Sequence, residues 1–133
     1  MKYPSHWIID DSDEDFDIDS FLDIKLPDDR GFIMFFLFDT SIDETEHVES
    51  QIKAHLSKSI KKGLVTRFNK WGSFTGTGAK IEGKLTGIFK GEIFIFAHST
   101  DSTSFLTVYL LYDRNREVDL PGFKLIERTF HLK

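Results

Sequence analysis

Residues 79–87 have the sequence AKIEGKLTG, in which apolar residues or glycine alternate with polar residues. Ile81 and Leu85 fall on one side of such an extended chain, while Lys80 and Lys84 fall on the other. This period of two is typical of a strand with one buried face. The stretch therefore predicts a half-buried β-strand, and its neighbours decide what kind of sheet the strand joins.

The segments around this strand are also strand-like, and the connections between them are short. Four strands are expected at Val65–Trp71, Phe74–Thr86, Phe89–His98 and Ser104–Tyr112. Alternation from Phe16 to Leu22 and an apolar run at Phe32–Asp39 predict two more. Because short connections join antiparallel neighbours, the sequence predicts an antiparallel sheet of about six strands.

Two helices are expected beside this sheet. The first has Ser41 or Asp43 as its N-cap and Gly63 as its stop, and an apolar stripe recurs every four residues at Val48, Ile52, Leu56 and Ile60. The second is short, starts near Asp119 with Pro121 in its first turn, and extends towards Phe130. One apolar stripe packs on a sheet, so the predicted class is α+β, with helices flanking the sheet in an α/β/α sandwich.

Length and composition are those of a single domain. The chain has 133 residues, 40% of them hydrophobic, which is enough for one core. Residues 1–30 carry ten acids against three bases, whereas residues 31–133 carry twelve against fourteen. We predict that residues 1–15 form an acidic, flexible segment that frays or docks only through Tyr3 and Trp7, and that residues 16–133 form one α+β domain.

Several classes of protein are excluded by composition. The chain has no cysteine, which excludes disulfides, thiolate zinc sites and cysteine nucleophiles. Its most apolar stretch, residues 31–38, is far shorter than the roughly 20 residues of a membrane-spanning helix. Residues 1–20 have no apolar segment behind a basic start, as a signal peptide would. The expected location is cytoplasmic, or exported if a leader is removed.

Four motifs are near matches to chemical sites. Residues 78–85 approach a phosphate-binding loop, but Leu85 stands where a magnesium-ligating hydroxyl is needed. Residues 11–22 approach a calcium loop, but lack its glycine and its final glutamate. Glu44-x-x-His47 lacks a second such pair, and the His98–Ser104 segment is typical of a turn. We therefore predict no catalytic residue, no metal site and no cofactor.

Bases predominate from Lys53 to Lys90, where Glu82 is the only acid that opposes nine of them. Such a segment favours an anion or an acidic partner. Cations beside aromatic rings also occur in binders of single-stranded nucleic acid. Trp71 precedes Gly72 at a predicted strand end and is expected to be the exposed ring. The candidate partner-binding residues are Arg67, Lys70, Trp71, Lys80 and Lys84.

The order of elements from Phe16 onward resembles the PsbP-like superfamily. The similar residues are Lys25–Asp29 after the early strand, Gly76–Ala79 at the entry to the long strand, and Gly122–Phe130 at the closing helix. This superfamily includes extrinsic proteins of photosystem II, a nuclear import regulator that binds the GTPase Ran, and bacterial chaperones of secreted effectors. The resemblance implies an antiparallel sheet between helices and a mostly non-enzymatic accessory role. It assigns no functional residue.

The expected function is that of a non-catalytic binding or accessory module that recognises a protein, and a homodimer is compatible with this expectation. One alternative is a nucleic-acid or anion binder that uses the segment from Lys53 to Lys90. A second alternative is an enzyme with dispersed catalytic residues, which would require a deep pocket of titratable groups with perturbed pKa values.

Overall fold

The computed structural model describes residues 1–10, 20–58, 60, 63–85 and 89–132. These residues form seven strands: β1 (Ile8–Ile9), β2 (Phe21–Lys25), β3 (Phe32–Phe38), β4 (Leu64–Trp71), β5 (Phe74–Leu85), β6 (Phe89–Ser99) and β7 (Ser104–Tyr112). They also form two α-helices, α1 (Glu44–Lys58) and α2 (Arg116–Thr129), and two short 3-10 turns at Pro27–Asp29 and Asp113–Asn115. The α+β class is confirmed.

The strands form one antiparallel sheet in the order β1-β2-β3-β7-β6-β5-β4. The described strands number seven instead of about six, because Ile8 and Ile9 pair with Lys25 and Ile24 at the sheet edge. A strand of two residues is too short to show alternation, so the sequence pattern does not reveal it.

The N-terminal segment is docked over its described part, residues 1–10. Trp7 is only 3% exposed, and its ring packs edge-on against Phe123 at 5.0 Å between centroids. Docking through an aromatic ring is one of the two predicted outcomes, and the pairing of β1 with β2 adds to it. Residues 11–15 of the predicted acidic segment lie outside the described residues.

Helix α1 follows its predicted pattern at its start but not at its end. The Asp43 Oδ1 atom accepts a hydrogen bond from the Glu46 N–H at 3.0 Å, so Asp43 is the side-chain cap. Val48 and Ile52 are buried, as the stripe predicts. The prediction that Ile60 continues the stripe is wrong, because the helix ends at Lys58 and Ile60 instead forms an isolated bridge with Leu85.

Helix α2 begins at Arg116, three residues before the predicted start. Pro121 consequently lies inside the helix and not in its first turn, where it omits one hydrogen bond, to the carbonyl of Glu117. Asp119, near the predicted start of the helix, is fully buried and forms an ion pair with Arg30, with 2.8 Å between Nη2 and Oδ1. This pair ties α2 to the connection between β2 and β3.

The sheet has a hydrophobic core on each side. On the side that we call the α1 face, Val48 and Ile52 pack on strand residues that include Ile81, Ile95 and Val108. On the opposite side, the α2 face, the buried side chains include Trp7, Phe35, Trp71, Phe96, Phe105, Phe123 and Ile126. No helix in the described part of the chain is long and apolar enough to cross a lipid bilayer.

Candidate functional site

Trp71 belongs to the core of the α2 face, and the expectation that its ring is exposed is wrong. It is 2% exposed, and its ring centroid lies 5.9 Å from that of Phe35 and 6.1 Å from that of Phe96. A ring in this position cannot stack on a base or insert into a partner while the protein is folded. Its role is to fill the core.

The other four candidate residues do not form one surface. Arg67 of β4 forms an ion pair with Glu49 of α1, at 2.5 Å between Nη1 and Oε1, and therefore lies on the α1 face. Lys70 is exposed near the end of β4. Lys80 and Lys84 line a cleft on the α2 face. The basic segment is therefore divided between the two sides of the sheet.

This cleft, which we call the β5–β6 cleft, has a volume of about 570 Å³. It is lined by residues of β5 and β6, by Leu64 of β4, and by Asp113 and Arg116, just before and at the start of α2. Its charged lining residues are Lys80, Glu82, Lys84, Lys90, Glu92, Asp113 and Arg116. The sequence predicts two of these lysines, Lys80 and Lys84, as binding residues, but its pattern does not place Glu92 or Arg116 beside them.

The carboxylates of Glu82 and Glu92 line the cleft on neighbouring strands, and two cations form ion pairs with them. Glu82 and Glu92 are direct cross-strand partners. The Lys80 ammonium lies 2.9 Å from Glu82 Oε1 and 4.0 Å from Glu92 Oε2. Arg116 Nη1 lies 3.2 Å from Glu92 Oε1. Glu92 is 5% exposed, and this set of two acids and two bases gives the buried carboxylate ion-pair partners.

The pKa shifts in and beside the cleft do not favour acid–base catalysis. The hydrogen bond to Glu82 raises the pKa of Lys80 above its usual value of 10.5. In the core of the α2 face, outside the cleft lining, burial together with the nearby charge of Glu92 raises the pKa of Tyr109. A general base or acid works best with a pKa near the working pH, and both groups are moved away from it. The cleft is therefore better suited to binding charge than to transferring protons.

A second surface lies on the α1 face, where α1 packs against β5 and β6. In the described part of the chain, α1 reaches β3 at the last residue of that strand, where the rings of His47 and Phe38 lie 5.6 Å apart, and no extensive helix contact covers the rest of β3 or β2 on this face. Its residues form three cross-strand pairs, Phe21 with Phe36, Asp23 with Met34, and Lys25 with Phe32. We call these six residues the open half-face. Its aromatic and methionine side chains are partly exposed, and the Phe21 and Phe36 rings lie 5.1 Å apart.

Asp23 is the polar residue at the centre of the open half-face. Its Oδ1 atom is buried and has no hydrogen-bond partner among the described residues. Burial raises the pKa of this carboxyl above 3.8; the charge of Asp10 also raises it, and Lys25 opposes the shift. Lys25 itself is held by Asp10, at 2.7 Å between Nζ and Oδ2. A buried carboxylate oxygen without a donor carries an uncompensated desolvation cost in the free protein.

Asp23→Asn is expected to stabilise the protein at neutral pH. The raised pKa means that the folded state binds this proton more tightly than the unfolded state, so ionisation of Asp23 opposes folding as pH rises above 3.8. Asparagine keeps the shape without the charge. We expect a gain of up to about 1 kcal/mol at pH 7, since Asp23 is only partly buried. Below pH 3.8 the difference should disappear.

Urea unfolding of both proteins between pH 3 and pH 7 measures this difference. A variant that is less stable than the wild type at pH 7 would show that the attraction of Lys25 outweighs the burial of the Asp23 carboxylate.

The near-match motifs have structural roles wherever they are described. Residues 78–85 lie in strand β5, as the alternation predicts. Glu44 accepts hydrogen bonds from the Ser99 N–H and the Thr77 hydroxyl, at 2.8 and 3.0 Å, and so fastens α1 to the sheet. His98 Nδ1 lies 2.7 Å from the Thr75 carbonyl oxygen. No group of three or more His, Asp or Glu among the described residues could hold a metal ion. The calcium-loop similarity falls mostly at residues 11–19, outside the described residues.

Comparison with known proteins gives the fold alone. No protein-family model and no curated protein matches this chain. The chain is similar to a crystal structure at 1.50 Å resolution from Bacteroides thetaiotaomicron VPI-5482, with a TM-score of 0.53 and 13% sequence identity. The match covers 93% of this chain and 42% of that one, so this chain spans about two-fifths of the other protein's length. At this identity, the similarity supports the α+β architecture and assigns no activity.

Proposed function

We propose that this protein is a non-catalytic binding or accessory module that recognises a protein partner through the open half-face. The observation that carries the proposal is the Asp23 Oδ1 atom, which is buried without a hydrogen-bond donor among the described residues. It lies within an apolar, partly exposed surface. Folding such an atom costs free energy, and a bound partner recovers it when the partly exposed Asp23 side chain turns so that this oxygen accepts a hydrogen bond from the partner.

The chemistry of the surface defines the partner. Phe21, Met34 and Phe36 offer apolar and aromatic contacts of the kind found at the centres of protein interfaces. Asp23 offers one carboxylate for a lysine or arginine. The partner is therefore an amphipathic protein segment that presents apolar side chains around one basic residue. Helix α1 occupies the neighbouring half of the same face, which shows that a helix packs on this side of the sheet.

Membership of the PsbP-like superfamily is part of this proposal. Two observations support it: the order of two strands, a helix, four strands and a helix from Phe21 onward, and the placement of one helix on each side of the sheet. Membership would imply the same mostly non-enzymatic accessory role that the open half-face favours.

A nucleic-acid interface has less support. Arg67 is paired with Glu49 on the α1 face, whereas Lys80 and Lys84 lie on the α2 face. A nucleic acid follows a continuous basic surface, and the proposed stacking ring, Trp71, is buried. A titration with a single-stranded oligonucleotide at low salt tests this alternative, because phosphate contacts give an affinity that falls as salt rises. Saturable, salt-sensitive binding would favour it over a protein partner.

We expect peptides selected on the immobilised protein from a random 12-residue library to carry a lysine or arginine among apolar residues. Asp23→Lys and Met34→Lys are each expected to weaken their binding at least ~10-fold, because a repelling charge replaces the attractive one or enters the apolar contact. Val118→Lys is the matched control, since Val118 is an apolar residue of α2 with 66% exposure. Circular dichroism melting confirms that each variant is folded.

Two results would contradict the proposal. The first is selected peptides that bind the Asp23→Lys and Met34→Lys variants as tightly as the wild type. The second is a wild-type dimer in sedimentation that dissociates in the Met34→Lys variant, because a second copy of the chain would then be the occupant of the open half-face.

A further inference from the structure

We propose that the β5–β6 cleft binds a small molecule through an oxyanion group, a phosphate or a carboxylate, held between Lys84 and Lys90. These two lysines are direct cross-strand partners, and both are exposed. They lie on the side of the hairpin that carries the Glu82 and Glu92 pair. The cleft is on the α2 face, so this site is independent of the open half-face.

The neighbouring acids do not neutralise these lysines. Glu82 lies 2.9 Å from Lys80, and Glu92 is held by Arg116 at 3.2 Å. Neither Lys84 nor Lys90 forms an ion pair within the described part of the chain. Asp113 is the one further acid among the cleft-lining residues. Two lysines therefore stand opposite each other on neighbouring strands, beside Glu82 and Glu92, whose charges are already balanced.

Like charges directly opposite each other on neighbouring strands destabilise a sheet. An oxyanion placed between two ammonium groups converts this repulsion into two attractive contacts, and each charge-assisted hydrogen bond is stronger than a neutral one. This pair of opposed lysines therefore lowers the stability of the free protein, and a bound anion restores that stability.

The size of the cleft indicates the kind of molecule to which the anionic group is attached. Its volume of about 570 Å³ lies within the roughly 300–1,000 Å³ typical of small-molecule sites and is much larger than a bare phosphate needs. The exposed Leu64 lines the same cleft and offers an apolar contact. The expected ligand is therefore a small organic molecule with at least one phosphate or carboxylate group, and pyrophosphate and citrate are suitable probes.

The test is a nuclear magnetic resonance titration of the full chain with sodium pyrophosphate and, separately, with sodium citrate at constant ionic strength. We expect saturable shifts at the amides of Lys84, Lys90 and Arg116 with at least one probe. The probe that binds distinguishes phosphate from carboxylate chemistry. Lys84→Gln/Lys90→Gln is expected to weaken binding at least ~10-fold. Lys53→Gln/Lys70→Gln removes the same charge from exposed lysines elsewhere and should weaken binding less than ~2-fold.

The melting temperature of the double variant distinguishes a binding role of Lys84 and Lys90 from a structural role. Without anion, the Lys84→Gln/Lys90→Gln variant is expected to melt at the wild-type temperature or about 1–3 °C higher, because the repulsion is gone. If that variant does not fold, Lys84→Arg/Lys90→Arg, which keeps both charges, must retain binding. No saturable shift with either probe at low salt, or equal weakening in the control variant, overturns the proposal.

Discussion

Replacing Trp71 by alanine is expected to lower the free energy of unfolding by about 3–5 kcal/mol, the range typical of large aromatic residues truncated in a core. Trp71 is 2% exposed, and its ring lies within about 6 Å, centroid to centroid, of four phenylalanine rings: Phe35, Phe96, Phe105 and Phe130. These rings come from three strands and from the C-terminal end of α2. The cavity would therefore weaken the contact between α2 and the sheet.

Chemical unfolding followed by circular dichroism measures this loss. In thermal unfolding, we expect the melting temperature to fall by roughly 10–20 °C. Trp71→Phe is the matched control, with an expected loss below about 2 kcal/mol, since it keeps an aromatic ring in the cavity. In the wild type, both tryptophans should resist quenching by iodide, because Trp7 is as buried as Trp71. A Trp71→Ala variant within 1 kcal/mol of the wild type would contradict the assignment of this residue to the core.

The elements predicted well from the sequence are those with a long local pattern. Strand β5 shows its alternation from Ala79 to Leu85, where Ala79, Ile81 and Leu85 are buried on the α1 face. Helix α1 combines an apolar stripe with the cap at Asp43. In both, the residues that face the core are set by the period of the element itself, so no knowledge of the partner strands is needed.

Trp71 shows why local pattern fails at other positions. The register between β4 and β5 shifts between Phe68 and Lys70. As a result, Phe68 and Trp71, three residues apart, both pack against the core of the α2 face, where strict alternation would place them on opposite sides. Gly72 then turns the chain with a φ of 59° and donates its N–H to Glu127 of α2. Both features depend on neighbours that are distant in sequence.

For the same reason, the sequence predicts the two candidate surfaces only in part. Lys80 and Lys84 could be placed on the polar side of β5, but their relation to Lys90 and Glu92 requires the register of the hairpin. A usable signal was present, since Lys-x-Glu-x-Lys at 80–84 is followed by Lys-x-Glu at 90–92, and a symmetric hairpin pairs like with like. Asp23 gave no such signal, because its missing hydrogen-bond partner is a property of the folded chain.

The two helices explain why the two surfaces differ in chemistry. Helix α1 packs over β5 and β6, so the uncovered part of the α1 face lies over β2 and β3, which supply phenylalanines and Met34. On the other side, α2 starts beside the β5–β6 cleft, and Arg116 joins the charges there. One uncovered region is therefore largely apolar, and the other is charged.

Arg30→Met is expected to cost about 2–4 kcal/mol of unfolding free energy, because it leaves the Asp119 carboxylate without its cation. The Asp119 side chain is fully buried, whereas that of Arg30 is 21% exposed. The guanidinium donates through Nε at 3.2 Å to both carboxylate oxygens and through Nη2 at 2.8 Å to Oδ1. Removing one partner of a buried pair is more harmful than removing both, since an unpaired buried charge remains.

The double variant Arg30→Met/Asp119→Leu separates the ion pair from the packing around it. We expect it to recover at least half of the loss measured for Arg30→Met in urea unfolding, because no charge is then buried. A double variant no more stable than Arg30→Met would mean that the methylenes of Arg30, and not its charge, hold α2 against the β2–β3 connection. In either case, we expect the substitutions to weaken packing on the α2 face and to leave the cross-strand pairs of the open half-face intact. Peptide binding at the open half-face should therefore persist while the variant remains folded.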